Sequence, residues 1–466
     1  MNVKLDNYQK EVVLNSSKSI LVVAGAGSGK STTILAKIKY LINIKNIKNN
    51  EILLLSFGRK NKNEMKEKLK NLNINIDVFT FHELGLKFLK NVNIINDDMR
   101  KKLISDIINS SLDDFKFYLY SIFYLLINNT ILLFSKKRIK YILNNTLTND
   151  TLEFIDKIKL YDLKVNKSKN FKIFYKLFKT IYSKYNIYLN KNNLIEFEDI
   201  IIKSKDKIKS NYKYIIVDEY QDISKNRFIF FKKLIDYNNS NFIGVGDDFQ
   251  AIYGFSGSNI EYFTNIGNYI PDIKILKLIN TYRNSQELIN VAGKFILKNN
   301  KQINKKLISK KHITSPIILI CDRGVEFIKI LEFFNKNKVK SVGILSRFNF
   351  GLNKYINLLK KEDDHYIYKN LKIYFTTVHK SKGLEYDEVI ILNLNNGTYG
   401  FPSKKKNKKI FSQYETNDIY EERRLFYVAL TRTRNRVYIL YNKKNKSSFI
   451  KEIKKEIKYL NFKKLT

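Results

Sequence analysis

Two short runs of this 466-residue chain carry residue types that could do chemistry: Lys30-Ser31 and Asp218-Glu219. Lys30-Ser31 closes the turn Ala24-Gly25-Ala26-Gly27-Ser28-Gly29, which follows the apolar Leu21-Val22-Val23 and leads through Thr32 into an amphipathic pattern. A strand, a glycine-rich turn and a helix start in that order are the setting of a phosphate-binding loop. Backbone N–H groups of the turn face the phosphates, Lys30 adds a point charge, and the Ser31 hydroxyl can ligate Mg²⁺. Ala24 stands where the general pattern has glycine, and a small residue still fits. Asp218-Glu219 ends the apolar run Ile215-Ile216-Val217. Asp218 is suited to hold Mg²⁺ through water, and Glu219 to orient and deprotonate an attacking water. Phosphoryl transfer divides its labour in this way. These residues imply binding and hydrolysis of a nucleoside triphosphate.

A third run, Gly244-Val245-Gly246-Asp247-Asp248-Phe249-Gln250, follows another apolar stretch and places Gln250 where it could reach a γ-phosphate. Beyond it, Tyr253 and Phe255 read as exposed-loop aromatics. Rings of this kind stack on nucleic-acid bases, worth roughly 1–3 kcal/mol each. The net charge of +41, from 85 Lys+Arg against 44 Asp+Glu, fits a polyanionic partner. It fits equally a chain whose exchangeable positions have drifted to lysine, asparagine and isoleucine. Against that background an arginine marks a need for a planar, multi-donor cation, and Arg423, Arg424, Arg432, Arg434 and Arg436 lie in one short stretch. The single cysteine, Cys321, excludes an internal disulfide and any multi-cysteine metal site. No run of about 18 uncharged apolar residues suggests a membrane span. Met1-Asn2-Val3-Lys4 lacks the layout of a signal peptide. An intracellular, cytoplasmic setting is expected.

The elements that must position these residues are α/β. Apolar strands are expected near 20–24, 51–56, 76–79, 214–217, 241–246 and 275–278, and again near 316–320, 342–346, 373–377, 388–393 and 436–441. Strands of this kind, separated by helical patterns, form parallel sheets covered on both faces. The stretch 89–194, rich in lysine, asparagine and aromatics, reads as a helical insertion.

Taken together, the motifs resemble those of superfamily 1 helicases of the UvrD/Rep type, with wording nearest to the helicase IV members. The carrying segments are Asn7-Tyr8-Gln9, the phosphate loop, Ser56-Phe57-Gly58-Arg59-Lys60, Thr80-Phe81-His82, Asp218-Glu219-Tyr220-Gln221-Asp222 and Gly246-Asp247-Asp248-Phe249-Gln250. They continue with Thr281-Tyr282-Arg283, Ser346-Arg347-Phe348-Asn349, Val378-His379-Lys380-Ser381-Lys382-Gly383-Leu384-Glu385 and Val428-Ala429-Leu430-Thr431-Arg432-Thr433-Arg434. The resemblance implies two RecA-like P-loop NTPase domains: one from 1–88 and 195–278, interrupted by the insertion 89–194, the other from 279–466. It implies ATP with Mg²⁺ in the cleft and 3′-to-5′ movement on single-stranded DNA, coupled to unwinding of tailed duplex. Gln9 would read the adenine edge, Tyr282 would stack on the base, and Glu385 would contact the ribose. Arg283 and Arg432 would meet the γ-phosphate from the second domain. Phe57, Arg59, Thr80, His82, Tyr253, Phe255, Arg347 and His379 would line the strand track.

Two departures from the family pattern shape the expectations. Rep-like relatives carry a long insertion in the second domain. Here the interval from Arg347 to Thr376 is short, so Gly351–Asn370, with Leu352, Ile356 and Leu359 at helical spacing, is expected to form one short helix and a charged turn. Helicase IV proteins also carry a domain ahead of the first motif, which this chain starts within its first ten residues. No nuclease domain is evident after residue 440. The alternatives are a strand translocase that strips proteins with little unwinding, a helicase–nuclease subunit, and a non-catalytic basic binder.

Overall fold

The computed structural model describes residues 4–127, 135–161, 169–405 and 419–456. Six strands form the first sheet: β1 (Ser19–Ala24), β2 (Ile52–Ser56), β3 (Asp77–Thr80), β4 (Tyr214–Val217), β5 (Asn241–Gly246) and β6 (Lys274–Leu278). Their order is β3-β2-β4-β5-β1-β6. Every pairing is parallel, with Ile20 opposite Ile243 on one side of β1 and opposite Lys274 on the other. The central strands are apolar throughout because helices cover both faces. One face packs Val22, Ile34 and Ile38, the other Leu21, Ile215 and Phe231. The carboxyl ends of all six strands lie along one edge, where open α/β sheets bind ligands. The phosphate loop follows β1, Asp218 follows β4 and Asp247 follows β5.

A two-residue parallel ladder, Asn93–Ile94 with Leu194–Ile195, stands at the foot of the helices Asp97–Ser111, Phe115–Ile127, Lys136–Leu160 and Lys169–Lys191. These helices enclose their own core, including Ile104, Leu143, Phe154 and Phe174.

The second sheet contains β7 (Ile317–Cys321), β8 (Ser341–Ser346), β9 (Lys360–Glu362), β10 (His365–Tyr368), β11 (Leu371–Thr377), β12 (Glu388–Ile391) and β13 (Val437–Tyr441). Its order is β9-β10-β11-β8-β12-β13-β7. The strands β11, β8, β12, β13 and β7 are parallel, and two such α/β sheets make the paired RecA-like architecture. The strands predicted from sequence match within one or two residues, and the stretch 89–194 is mostly helical among its described residues, with the short strand Asn93–Ile94 near its start.

One expectation needs correction. The helix after Arg347 is Phe350–Ile356, but the rest of the interval is not a charged turn. It is the hairpin β9–β10, paired antiparallel to β11. Asp363 takes a left-handed φ of 43° at the tip, and Tyr366 packs into the second-sheet core. The open edge of β11 offers unpaired backbone groups that the hairpin satisfies, and this outweighs the helical spacing of Leu359.

Candidate active site and nucleic-acid face

Gly27 and Gly29 have φ of +70° and +78°, the left-handed region that glycine enters without steric cost. A Cβ at Gly29 would lie 2.6 Å from Gln9 Nε2, so a side chain here would also push that amide aside. The loop is clasped by the segment after β6. The Thr281 hydroxyl donates to Ala26 O at 2.7 Å, and the Tyr282 N–H donates to Gly27 O at 2.9 Å. Gln9 is buried, donating its amide to Ser28 O at 3.3 Å and accepting from Asp6 N–H at 3.1 Å. Tyr282 is 63% exposed, and its hydroxyl donates to Asp6 Oδ2 at 2.5 Å. Gln9 and Tyr282 therefore flank one side of the loop through a shared partner, Asp6.

Lys30 starts the helix Lys30–Asn43, and its ammonium donates to Glu219 Oε1 at 2.6 Å. Burial alone would lower the Lys30 pKa, but Glu219, Asp218 and Asp247 hold it above its ordinary value. The two acids diverge. Burial, reinforced by the Glu219 charge, raises Asp218 to about 6. Glu219 is buried as well, yet Lys30 and Lys382 hold it far below the usual carboxylate range. Glu219 sits at φ 54°, a strained conformation for a residue with a side chain. Gln221 donates to its Oε2 at 2.6 Å.

The second sheet closes the cleft with charged side chains. Arg432, at the end of the helix Ile419–Leu430, is 1% exposed. It donates from Nη2 to Gln250 Oε1 at 3.0 Å, and from Nε and Nη1 to the carbonyls of Val428 and Leu384. Gln250 donates to Asp247 Oδ2 at 2.5 Å, so it bridges β5 to the far wall. Burial and the neighbouring Arg283 lower Arg432 to about 9, which leaves it charged at neutral pH. Arg283 lies on the connection between the sheets. Its Cβ would be 2.6 Å from a Cβ at Gly27, while its Nε donates to Glu385 Oε2 at 2.7 Å. Glu385 also accepts from Arg434 at 2.6 Å. Lys382, given no role from sequence, donates to Asp222 Oδ2 at 2.5 Å and Gln250 O at 2.9 Å, and lies 3.7 Å from Glu219. Its place in the Lys380-Ser381-Lys382-Gly383 turn was the available signal.

The residues assigned to the strand track divide. Phe255 is 56% exposed and meets the His379 ring edge-on at 5.4 Å. Tyr253, expected to be exposed, is partly buried under the Lys382 ammonium at 4.9 Å. Arg59 is exposed on the first turn of the helix Arg59–Lys70. Phe57 is half-buried, 5.1 Å from Phe81 and beneath Arg227. Thr80 is buried and caps the helix Phe81–Leu89, exchanging hydrogen bonds with Glu83 in a capping box. His82 is buried and stacks on the half-exposed Phe197 at 3.9 Å. Arg347 is held by Glu422 at 2.8 Å and lies over Phe348 at 4.7 Å. Phe348 stacks on the exposed Phe350, and Tyr399 abuts both, a ring cluster that sequence reading missed because Tyr399 is distant in the chain.

The metal proposed from sequence can be tested against these side chains. Among the described residues no group of three or more His, Cys, Asp and Glu could hold an ion unaided. Magnesium is commonly held by one or two side chains together with substrate phosphates. The Ser31 hydroxyl and the buried Asp218 carboxylate, both beside the phosphate loop, suit that mode.

Comparison with known proteins follows the same lines. The model of the UvrD/REP helicase N-terminal domain matches residues 5–271, and that of the viral superfamily 1 RNA helicase core domain matches 180–441. DNA helicase IV of Escherichia coli (strain K12) is 28% identical, over 97% of this chain and 70% of its own length. ATP-dependent DNA helicase Rep of Buchnera aphidicola subsp. Acyrthosiphon pisum is 28% identical, over 89% of this chain and 65% of its own length. A probable DNA helicase of Mycoplasma pneumoniae is 26% identical, over 94% of this chain and 83% of its own length. The chain therefore spans about two-thirds of the first two relatives. Among the described residues no helix is long and apolar enough to cross a membrane. With one family model matched over more than half of its residues, the chain belongs to the UvrD/REP helicase family of superfamily 1.

Proposed function

We propose that this chain is an ATP-dependent DNA helicase that moves 3′ to 5′ on single-stranded DNA and couples hydrolysis to unwinding of tailed duplex. One observation carries the reading. Arg432 crosses from the second sheet to Gln250, beside the Lys30–Glu219 pair of the first, so the groups needed for hydrolysis meet only across the cleft. The relatives' names, DNA helicase IV and Rep, support DNA as the substrate. In this reading the two RecA-like domains span 1–88 with 195–278, and 279–466, around the insertion 89–194.

The site residues then take these roles. Lys30 and the N–H groups of Gly25–Ser31 bind the phosphates. Ser31 and Asp218 would hold Mg²⁺, which neutralises phosphate charge when bound. The ion pair to Lys30 makes Glu219 a weak base in the resting arrangement. Phosphates that draw Lys30 away restore its basicity, and Glu219 then takes the proton of the attacking water. Arg283 and Arg432 stabilise developing charge on the transferred group. Gln9 and Tyr282 flank the adenine, and Glu385 the ribose, once its arginine partners shift. Phe57, Arg59, His82, Tyr253, Phe255, Arg347 and His379 line the strand, with Thr80 placing His82 by capping its helix.

A strand translocase with little unwinding is the second reading. It is favoured by the interval 350–372, which holds one short helix and a hairpin where Rep-like relatives have a subdomain. Unwinding of duplexes with a 3′ or a 5′ tail separates these readings. Unwinding confined to 3′ tails supports the first. Single-strand-stimulated ATP hydrolysis without unwinding supports the second, and no stimulation overturns both.

A further inference from the structure

Lys305 is a buried cation near the cleft, given no role from sequence. Its side chain and those of Asp247 and Asp248 are fully buried. The ammonium donates to Asp247 Oδ1 at 2.6 Å and to Asp248 Oδ1, and lies 3.9 Å from the centre of the Phe249 ring. Asp248 is held further by Ile303 N–H and the Gln302 amide, both at 2.8 Å. The segment bearing Lys305 is tied to the second sheet's helix: Asn299 donates to Tyr420 O at 2.9 Å, and Arg424 donates to Gln302 at 3.3 Å. Two residues beyond Lys305, Leu307 packs where a Cβ on Gly25 would stand. A single stretch of chain thus touches the phosphate loop, the Asp247–Gln250 turn and the arginine-bearing helix.

The two oxygens of Asp247 have different duties. Oδ1 takes Lys305 and the Phe249 N–H, and Oδ2 takes the Gln250 amide. With its NH₂ fixed there, the Gln250 carbonyl faces Arg432. Without the Lys305 ammonium, Asp247 Oδ1 would keep only the Phe249 N–H; a carboxylate free to turn would release the Gln250 amide and leave Arg432 without its acceptor.

We propose that Lys305 is a positioning residue for hydrolysis, fixing Asp247 so that Asp247 orients Gln250 toward Arg432 and the transferred phosphate. The inference rests on the ATPase reading above. Misplacing a group by about 1 Å can cost 10²-fold in rate.

The test measures kcat and KM for ATP with single-stranded DNA, alongside thermal unfolding, in the intact chain and four variants. Lys305→Met should lower kcat about tenfold or more and leave KM within about threefold. Lys305→Met/Asp248→Asn removes one charge of each sign and so keeps the net charge of the buried cluster. It should recover stability lost by the single variant but not the rate. Lys305→Met/Gln250→Ala should be no slower than Gln250→Ala alone, because the two act in series. Wild-type kcat in Lys305→Met or in the charge-balanced variant overturns the proposal, as do losses that multiply with Gln250→Ala. If neither Lys305→Met nor Lys305→Met/Asp248→Asn folds, Lys305 belongs to the fold and the proposal is overturned too. An intact chain without DNA-stimulated ATPase would instead break the activity reading, a separate result.

Discussion

The cleft and the strand track are built on opposite terms. In the cleft the cations already have partners: Lys30 pairs with Glu219, Lys382 with Asp222 and Arg283 with Glu385, while Arg432 donates to the Gln250 amide. On the proposed track the rings divide: Phe255 is 56% exposed, as are Phe350 and Tyr399 in the cluster beside Arg347, while Phe57 and Tyr253 are half-buried and His82 is buried. A buried network holds its geometry because leaving any member unpaired is costly. An open ring holds nothing until a ligand arrives. Substitutions in the cleft should therefore act on the chemical step, and those on the track should act on affinity.

The largest effect is expected at Arg432. An arginine that meets the transferred phosphate can be worth about 10³–10⁵ in rate. Arg432→Lys keeps the charge but loses the fork that reaches Gln250, Val428 O and Leu384 O together. DNA-stimulated kcat should fall into that range, read by steady-state ATPase. Near-normal turnover would remove the arginine from the cleft's chemistry. Glu219→Gln comes next, with a loss of about 10²–10⁴ expected for a general base. ATP binding, followed by a fluorescent analogue, should persist. If Glu219→Gln turns over normally, another group accepts the proton.

Sequence carried the cleft further than the track, for a physical reason. Phosphate binding depends on backbone geometry, and the run Gly27-Ser28-Gly29-Lys30 specifies it locally. Asp218 and Glu219 are likewise legible as the end of an apolar strand. Thr80 was also within reach, since Thr80-Phe81-His82-Glu83 spells a capping box, yet it was read as a track residue. Lys305 was not legible at all. In a chain this rich in lysine, nothing in Asn304-Lys305-Lys306 distinguishes a buried cation from a solvated one, because tertiary packing alone encloses it. The hairpin β9–β10 was missed for a similar reason, since it answers an open sheet edge that no local pattern reveals.

On the track, Phe255→Ala should weaken single-strand binding by about 1–3 kcal/mol, the worth of one stacked base. ATPase measured without DNA should stay unchanged. Phe57 sharpens the contrast. It packs on Phe81 beneath Arg227, so Phe57→Ala should lower thermal stability as well as affinity. Equal loss of melting temperature in both variants would show that the two rings are core in the same sense.

The smallest effect concerns charge along the strand. Binding to single strands should weaken with salt, losing about 0.7 in log–log slope per phosphate contact removed. Arg59→Ala should lower the slope by that amount if Arg59 meets a phosphate. His379 should not behave this way. Burial, with Arg347 and Lys382 nearby, lowers its pKa to about 3, so the folded chain carries a neutral imidazole there at neutral pH. Its folded value lies below the ordinary 6.5, so its contribution to stability is present above pH 6.5 and declines as pH falls toward 3. His379→Asn should therefore leave the salt slope unaltered between pH 6 and 8 while lowering affinity through lost ring contact with Phe255. A slope that falls with His379→Asn at pH 6 but not at pH 8 would mean that DNA draws a proton onto this ring. The track would then be a charged surface of the same kind as the cleft.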